Sequence, residues 1–242
     1  MSGEKKYKQS PSDIKGGVGL KGFLLYLLFC VLVPYLLGSL SFSVIVSKGL
    51  YHQDIRKFGS GNAGMTNVLR TFGKKAAALT IVGDIGKGIL AVVLAKWFFQ
   101  SELACENSYF LGAIFGIYLA AFFAVIGHVY PLYFGFKGGK AVSVATGTIV
   151  AISPIMVLPL LVIFFGVLAI GKMVSLSSIC CAAAYPIVTF LYYYLFEESS
   201  VSAILTATLG AAIMGGLVIW LHRSNIVRIR NGTEYKFFQK KK

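Results

Sequence analysis

The sequence predicts an all-α integral membrane protein of about seven transmembrane helices, with short or broken helices near its functional site. Three observations carry this. Of 242 residues, 57% are hydrophobic and only 13% charged, too little polar surface to cover a soluble globule of that size. The windows Phe23 to Val46, Ala76 to Phe99, Tyr109 to Gly127, Val142 to Ile170, Ser175 to Phe196 and Val201 to Leu221 are each long enough to cross about 30 Å of hydrocarbon. The loops between them alternate between basic and acidic.

The first window is longer than the apolar region of a signal peptide and reads as a transmembrane helix. Residues 1–22 before it form a basic, flexible tail, residues 23–221 the membrane domain, and residues 222–242 a basic cytoplasmic tail. Segment 47–75 carries Lys48, Arg56, Lys57, Arg70, Lys74 and Lys75, whereas 100–108 holds Glu102 and Glu106 and no basic residue. The first is therefore inside and the second outside. The turn with Lys137 and Lys140 then falls inside, the turn with Glu197 and Glu198 outside, and the tail with Arg223, Arg228 and Arg230 inside. Between Lys140 and Glu198 the chain must cross an odd number of times, and Val142 to Phe196 is too long for one helix. Three passes fit: a short one ending before Ser153-Pro154, one from about Ile155 to Ile170, and one from Ser175 to Phe196, with Pro154 breaking the run. Seven crossings put the N-terminus outside, against the lysines of the tail. The active site is expected on the cytoplasmic side of a bacterial inner membrane.

A formal charge of +14, from 23 Lys and Arg against 9 acids, would suggest nucleic acid in a soluble protein. Here the cations sit between apolar windows, where membrane lipid headgroups are their natural partners, and no nucleic acid partner is expected. Cys30, Cys105, Cys180 and Cys181 show no C-x-x-C spacing. Neither a metal site nor a disulfide framework is expected. The Gly112 and Gly116 pair reads as a helix-packing motif.

The densest polar stretch is D-I-R-K-F-G-S-G-N-A-G-M-T-N-V-L-R at 54–70. Its glycines let backbone N–H groups turn inward, Ser60, Asn62, Thr66 and Asn67 add neutral donors, and Arg70 supplies a bidentate cation, a set suited to a phosphate dianion. The alternative is a helix-capping turn whose arginines face headgroups. In F-K-G-G-K at 136–140, Gly138 and Gly139 precede an apolar helix, so bare amides at a helix start plus Lys140 make an anion site. A stop signal at the membrane edge is the competing reading. His222 and Asn225 share a face as i and i+3 at the end of the last helix. Asp84 and Lys87 are also i and i+3, inside an apolar window, where charges are costly; an ion pair and a catalytic role both fit. The sequence holds no nucleophile elbow, no H-E-x-x-H and no H-x4-D.

In order along the chain, Gly38-Ser39, the 54–70 motif, G-H-V-Y-P (127–131), F-K-G-G-K, V-S-L-S-S-I (174–179) and H-R-S-N-I (222–226) resemble the bacterial acyl-phosphate:glycerol-3-phosphate acyltransferases. The resemblance implies a cofactor-independent membrane enzyme. It would transfer an acyl group from acyl phosphate to the 1-hydroxyl of glycerol 3-phosphate, giving lysophosphatidate and inorganic phosphate without an acyl-enzyme. It also implies that Ser60, Arg70, Lys140, His222 and Asn225 bind substrate phosphates and that Ser178 is a site position. The chain departs from the family pattern with Met65 for alanine, with Ala141-Val142-Ser143-Val144 where G-V-A-T is usual, and with its basic N-terminal extension.

Chemistry and resemblance agree, because acyl phosphate is already activated and needs no enzyme nucleophile. Lys140, Arg70 and backbone amides would stabilise the leaving phosphate. The hydroxyl proton would go to His222 or, preferably, to a substrate phosphate, since a histidine beside dianions is expected to be protonated. An organic-phosphate transporter is the competing class, but no internal repeat of S-G-N-A-G supports it.

Overall fold

The computed structural model describes residues 20–100, 112–197 and 199–237. Expectations about the tail to residue 19, residues 101–111, Glu198 and residues 238–242 lie outside them. Among the described residues all regular structure is helical. Helix α1, Leu20–Leu27, passes through a π-helical turn at Leu28–Leu32 into α2, Val33–Gly38. Then follow α3, Phe42–Tyr51; α4, Met65–Phe72; α5, Lys74–Gln100; α6, Gly112–Val129; α7, Val142–Ile152; α8, Pro154–Gly171; α9, Val174–Leu195; α10, Val201–Leu221; and α11, Arg223–Arg230.

Six spans are long and apolar enough to cross a membrane, and α7 is a shorter apolar helix of 11 residues, roughly 16 Å. The three passes expected between 142 and 196 are present. Ser153 is extended and Pro154 occupies the first helical position of α8, where its missing N–H costs nothing. Gly147 of α7 packs against the carbonyl of Ile85, and Lys96 Nζ donates to Ile152 O at 2.9 Å, so α5 and α7 run parallel.

The sequence predicts one unbroken helix over Phe23 to Val46, but the structure interrupts it at Ser39–Ser41. The groups released by the break find partners locally. Ser39 Oγ donates to Tyr35 O at 2.8 Å, Ser41 and Ser43 hydroxyls pair at 3.1 Å, and Leu40 O accepts from Lys87 Nζ at 2.6 Å.

Side chains sort as lipid demands. Val162, Phe165 and Ile170 on α8 and Val201, Leu205 and Leu209 on α10 face outward, while Ser43, Ser47, Thr80, Asp84, Lys87, His128 and Thr148 are buried. Helices meet at small residues: Gly38 abuts the carbonyl of Ala124, and Gly127 abuts that of Tyr35. Of the expected Gly112–Gly116 pair, Gly116 packs against Phe99 and Cys30, but Gly112 sits at the start of α6 with open space around it. The helix ends of α4, α7, α9 and α10 converge on the face that carries the basic loops.

Candidate active site

The 54–70 loop folds around one amide. Asn67 Oδ1 accepts from Ser60 N at 3.1 Å, and Nδ2 points to the carbonyls of Phe58 at 2.9 Å, Asn62 at 3.1 Å and Ile55 at 3.3 Å. Asn67 is buried and its hydrogen-bonding capacity is spent within the loop. Expected as a ligand donor, it is instead the loop's anchor, and Asn62 contributes its carbonyl to that anchorage. Gly59, with φ of 58°, lies so close to Asn67 Oδ1 that no side chain fits there. Ser60 is thereby held over α4, where Arg70 follows Asn67 by three residues and is exposed.

A second brace was not assigned from sequence. Arg56 grips Asp54 through Nε–Oδ1 at 2.9 Å and Nη2–Oδ2 at 2.7 Å, and its Nη1 donates to Phe134 O at 2.6 Å and Lys137 O at 3.2 Å. The Arg56 guanidinium holds the Asp54 carboxyl down at about 2. The first loop is thus tied to the turn that carries Lys140.

In that turn the amides of Gly138 and Gly139 donate to Val129 O at 3.1 Å and His128 O at 3.2 Å. The expectation of bare glycine amides at a helix start is corrected: these two cap the preceding helix, α6. Their lack of side chains is still essential, since a β-carbon at Gly138 would overlap His128 O and one at Gly139 would overlap Ala63 O. Helix α7 starts later, at Val142, after Ala141 in the left-handed region with φ of 60°. Among the described residues the amides of Lys140 and Ala141 donate to no backbone carbonyl. With the first-turn amides of α7 they form the donor set at the positive end of that helix.

Lys140 Nζ donates to Asn225 Oδ1, and Asn225 Nδ2 donates to Glu234 Oε1 at 2.8 Å. Glu234 Oε1 also accepts from Ser175 Oγ at 2.8 Å, and its Oε2 from Arg228 Nε at 2.7 Å. Next to it, Tyr235 lies 3.7 Å beneath the Arg70 guanidinium, and Phe237 N donates to Lys172 O at 2.6 Å. Residues 234–237 therefore strap the first loop to α9 and α11. Ser178 lies buried one turn deeper in α9 than Ser175, its hydroxyl donating to Val174 O at 2.9 Å. His222 caps α10 with Nδ1 2.7 Å from Val218 O. A carbonyl only accepts, so Nδ1 carries the hydrogen and Nε2 is left as acceptor in the neutral ring.

Electrostatics follow from this packing. Burial, with Arg228, Arg70 and Arg223 nearby, lowers Lys140 to about 8, Glu234 opposing. Burial and the Lys140 charge hold His222 below its ordinary value despite the Val218 carbonyl and Glu234. Burial pushes Glu234 up, but hydrogen bonds from Asn225, Ser175 and Arg228 outweigh it and keep the carboxylate ionised. Lys140 thus has three further cations near it, Arg70, Arg223 and Arg228, against one carboxylate, Glu234. Such a site is under-neutralised and suits a polyanion.

Sequence reasoning singled out Lys140, Arg70, His222, Asn225 and Ser178 as candidates; it did not single out Glu234, Tyr235, Ser175, Arg228 or Arg56, which make the contacts described above. One signal was available, because Glu234 is the single acid after Glu198 in a strongly basic stretch. Among the described residues no group of three His, Cys, Asp or Glu gathers to hold a metal ion.

The family model for glycerol-3-phosphate acyltransferase matches residues 28–232. Proteins named glycerol-3-phosphate acyltransferase from Clostridioides difficile and Neisseria gonorrhoeae are 41% and 44% identical to this chain. They cover 89% and 87% of it, and 97% of their own length in each case. Two crystal structures of PlsY (YgiH), an integral membrane glycerol 3-phosphate acyltransferase, superpose with TM-scores of 0.70 for the glycerol 3-phosphate form and 0.69 for the lysophosphatidic acid form. Their identities are 34% and 32%, covering 88% and 86% of this chain and 98% and 94% of theirs. With a family model matching residues 28–232, which hold Arg70, Lys140, His222 and Asn225, and relatives matched over nearly their whole length, the chain belongs to the glycerol-3-phosphate acyltransferase family.

Proposed function

We propose that the protein transfers a fatty acyl group from acyl phosphate to the 1-hydroxyl of glycerol 3-phosphate, releasing lysophosphatidic acid and inorganic phosphate. The carrying observation is the excess of cations around Lys140. Two phosphates brought together need that excess, and none of the histidines is hydrogen-bonded to a serine or cysteine among the described residues, as a histidine-activated serine or cysteine nucleophile would require. Lys140, Arg70 and the amides at the start of α7 neutralise the leaving phosphate as the attacking hydroxyl oxygen bonds to the acyl carbon and the bond from that carbon to the bridging phosphate oxygen breaks. Ser60, Asn225 and Ser178 line the substrate phosphates and hydroxyls, while Asn62, Asn67, Gly138 and Gly139 shape the loops that present them. The attacking hydroxyl gives its proton to His222 Nε2 or to a phosphate oxygen. The acyl chain lies among the lipid-facing helices. The positive charge of the loops on this face supports a site on the cytoplasmic side of a bacterial cell membrane.

The test is acyl transfer by purified protein offered acyl phosphate, acyl-CoA or acyl-carrier protein with glycerol 3-phosphate. The expected result is lysophosphatidate formed with acyl phosphate alone. Turnover with a thioester donor would overturn the donor assignment, and saturable glycerol 3-phosphate uptake into vesicles without turnover would make the protein a transporter.

A further inference from the structure

Ten residues before Gly138, outside the cationic cluster, three ionisable side chains are buried together: Asp84 is 1%, Lys87 4% and His128 2% exposed. Lys87 Nζ lies 2.9 Å from Asp84 Oδ1, 2.6 Å from Leu40 O and 3.0 Å from His128 Nδ1. Two hydrogens of the ammonium are thereby directed at two other segments, the break in the first span and the end of α6, while its charge pairs with Asp84 on its own helix, α5. The contact to Asp84 is an ion pair without directed hydrogen-bond geometry at Oδ1, and His128 Nδ1 is 3.6 Å from that oxygen. Because Nδ1 of His128 faces an ammonium, it is the acceptor and the ring hydrogen sits on Nε2.

The ring leads back to the site. Gly139 is packed so tightly on His128 Nε2 that a β-carbon would overlap it, and His128 O accepts the Gly139 amide at 3.2 Å. His128 therefore holds the residue before Lys140 by ring and main chain at once. A charge cluster in lipid is costly, and a simple helix contact would not require one.

We infer that Asp84, Lys87 and His128 are positioning residues: they fix the Gly138–Lys140 turn against α6 and thereby set where the Lys140 ammonium and the α7 amides meet the leaving phosphate. The inference rests on the proposed acyl transfer. Lys87 is locked by Asp84 and Leu40, it locks the His128 tautomer, and the His128 ring sets Gly139.

The experiment compares His128→Asn, which keeps an acceptor for Lys87 but removes the edge against Gly139, with His128→Gln, whose amide reaches toward the position of Nε2. An Asp84→Asn/Lys87→Met double variant removes both charges without stranding either. Each is assayed at saturating acyl phosphate and glycerol 3-phosphate. Glycerol 3-phosphate binding is titrated calorimetrically to count competent sites, and Tm is recorded. The expected result is a kcat lowered on the order of 10- to 100-fold in His128→Asn and the double variant, with binding stoichiometry near that of wild type and partial recovery in His128→Gln. Wild-type kcat in all three, or a kcat that falls only in step with binding stoichiometry, would overturn the assignment and leave the cluster a structural ion pair. Wild-type protein that binds glycerol 3-phosphate but does not turn over acyl phosphate would instead refute the proposed reaction.

Discussion

The guanidinium of Arg70 lies 3.7 Å over the ring of Tyr235. The cation that ends the 54–70 motif is thus stacked on the residue beside Glu234, so the C-terminal strap shapes the site rather than trailing from it. Tyr235→Ala is expected to raise KM for the phosphate substrates about 2- to 5-fold, equivalent to roughly 0.5–1 kcal/mol for a partly exposed cation–ring contact. Tyr235→Phe keeps the ring and should leave KM unchanged; steady-state kinetics on both variants check this.

Glu234 joins Asn225, Ser175 and Arg228. Removing it leaves the buried Asn225 amide without its acceptor, whereas the Arg228 side chain is 42% exposed and loses less. Glu234→Ala should therefore destabilise the protein by about 1–3 kcal/mol, read as a lowered Tm. It should also move Lys140 further down, since Glu234 is the group that favours the Lys140 charge.

Lys140 supplies the pH dependence. With its value lowered to about 8, the ammonium is present below that pH and lost as pH rises through it, taking phosphate affinity with it. The kcat/KM profile should fall with an upper limb near pH 8. In Glu234→Ala the limb should shift to lower pH, and in Lys140→Arg it should vanish because guanidinium does not titrate there.

Ala141 holds a left-handed conformation, φ 60° and ψ 12°, where an L side chain costs about 1 kcal/mol. Ala141→Gly is expected to raise stability by about that amount, measured as an increased Tm with activity retained.

Much of this was legible from sequence where one residue type has one strong physical consequence. Pro154 marks the end of a short helix, so the three passes after Lys140 follow from counting. The i and i+3 spacing of Asp84 and Lys87 fits an ion pair or a catalytic role, and the ion pair is present at 2.9 Å, whereas His222 and Asn225, expected on one helix, are divided by a break, His222 ending α10 and Asn225 lying on α11. What depended on distant partners was not legible. The break at Ser39–Ser41 falls five residues after Pro34, which sits in the first turn of α2 and does not itself mark it, and its Leu40 carbonyl is explained by Lys87, 47 residues away. Likewise Gly138 and Gly139 read as anion donors until the carbonyls of His128 and Val129 claim their amides. The downward pull on His222 depends on burial that no spacing reveals.

The most direct measurement is phosphate release from acyl phosphate by purified protein, before and after glycerol 3-phosphate is added. Direct transfer in the cationic site predicts no release beyond background without acceptor. On addition, one phosphate should appear per lysophosphatidate formed, and Lys140→Ala should abolish it. A burst of one phosphate per chain without acceptor, with acyl label retained on the protein, would contradict the account and establish a covalent intermediate.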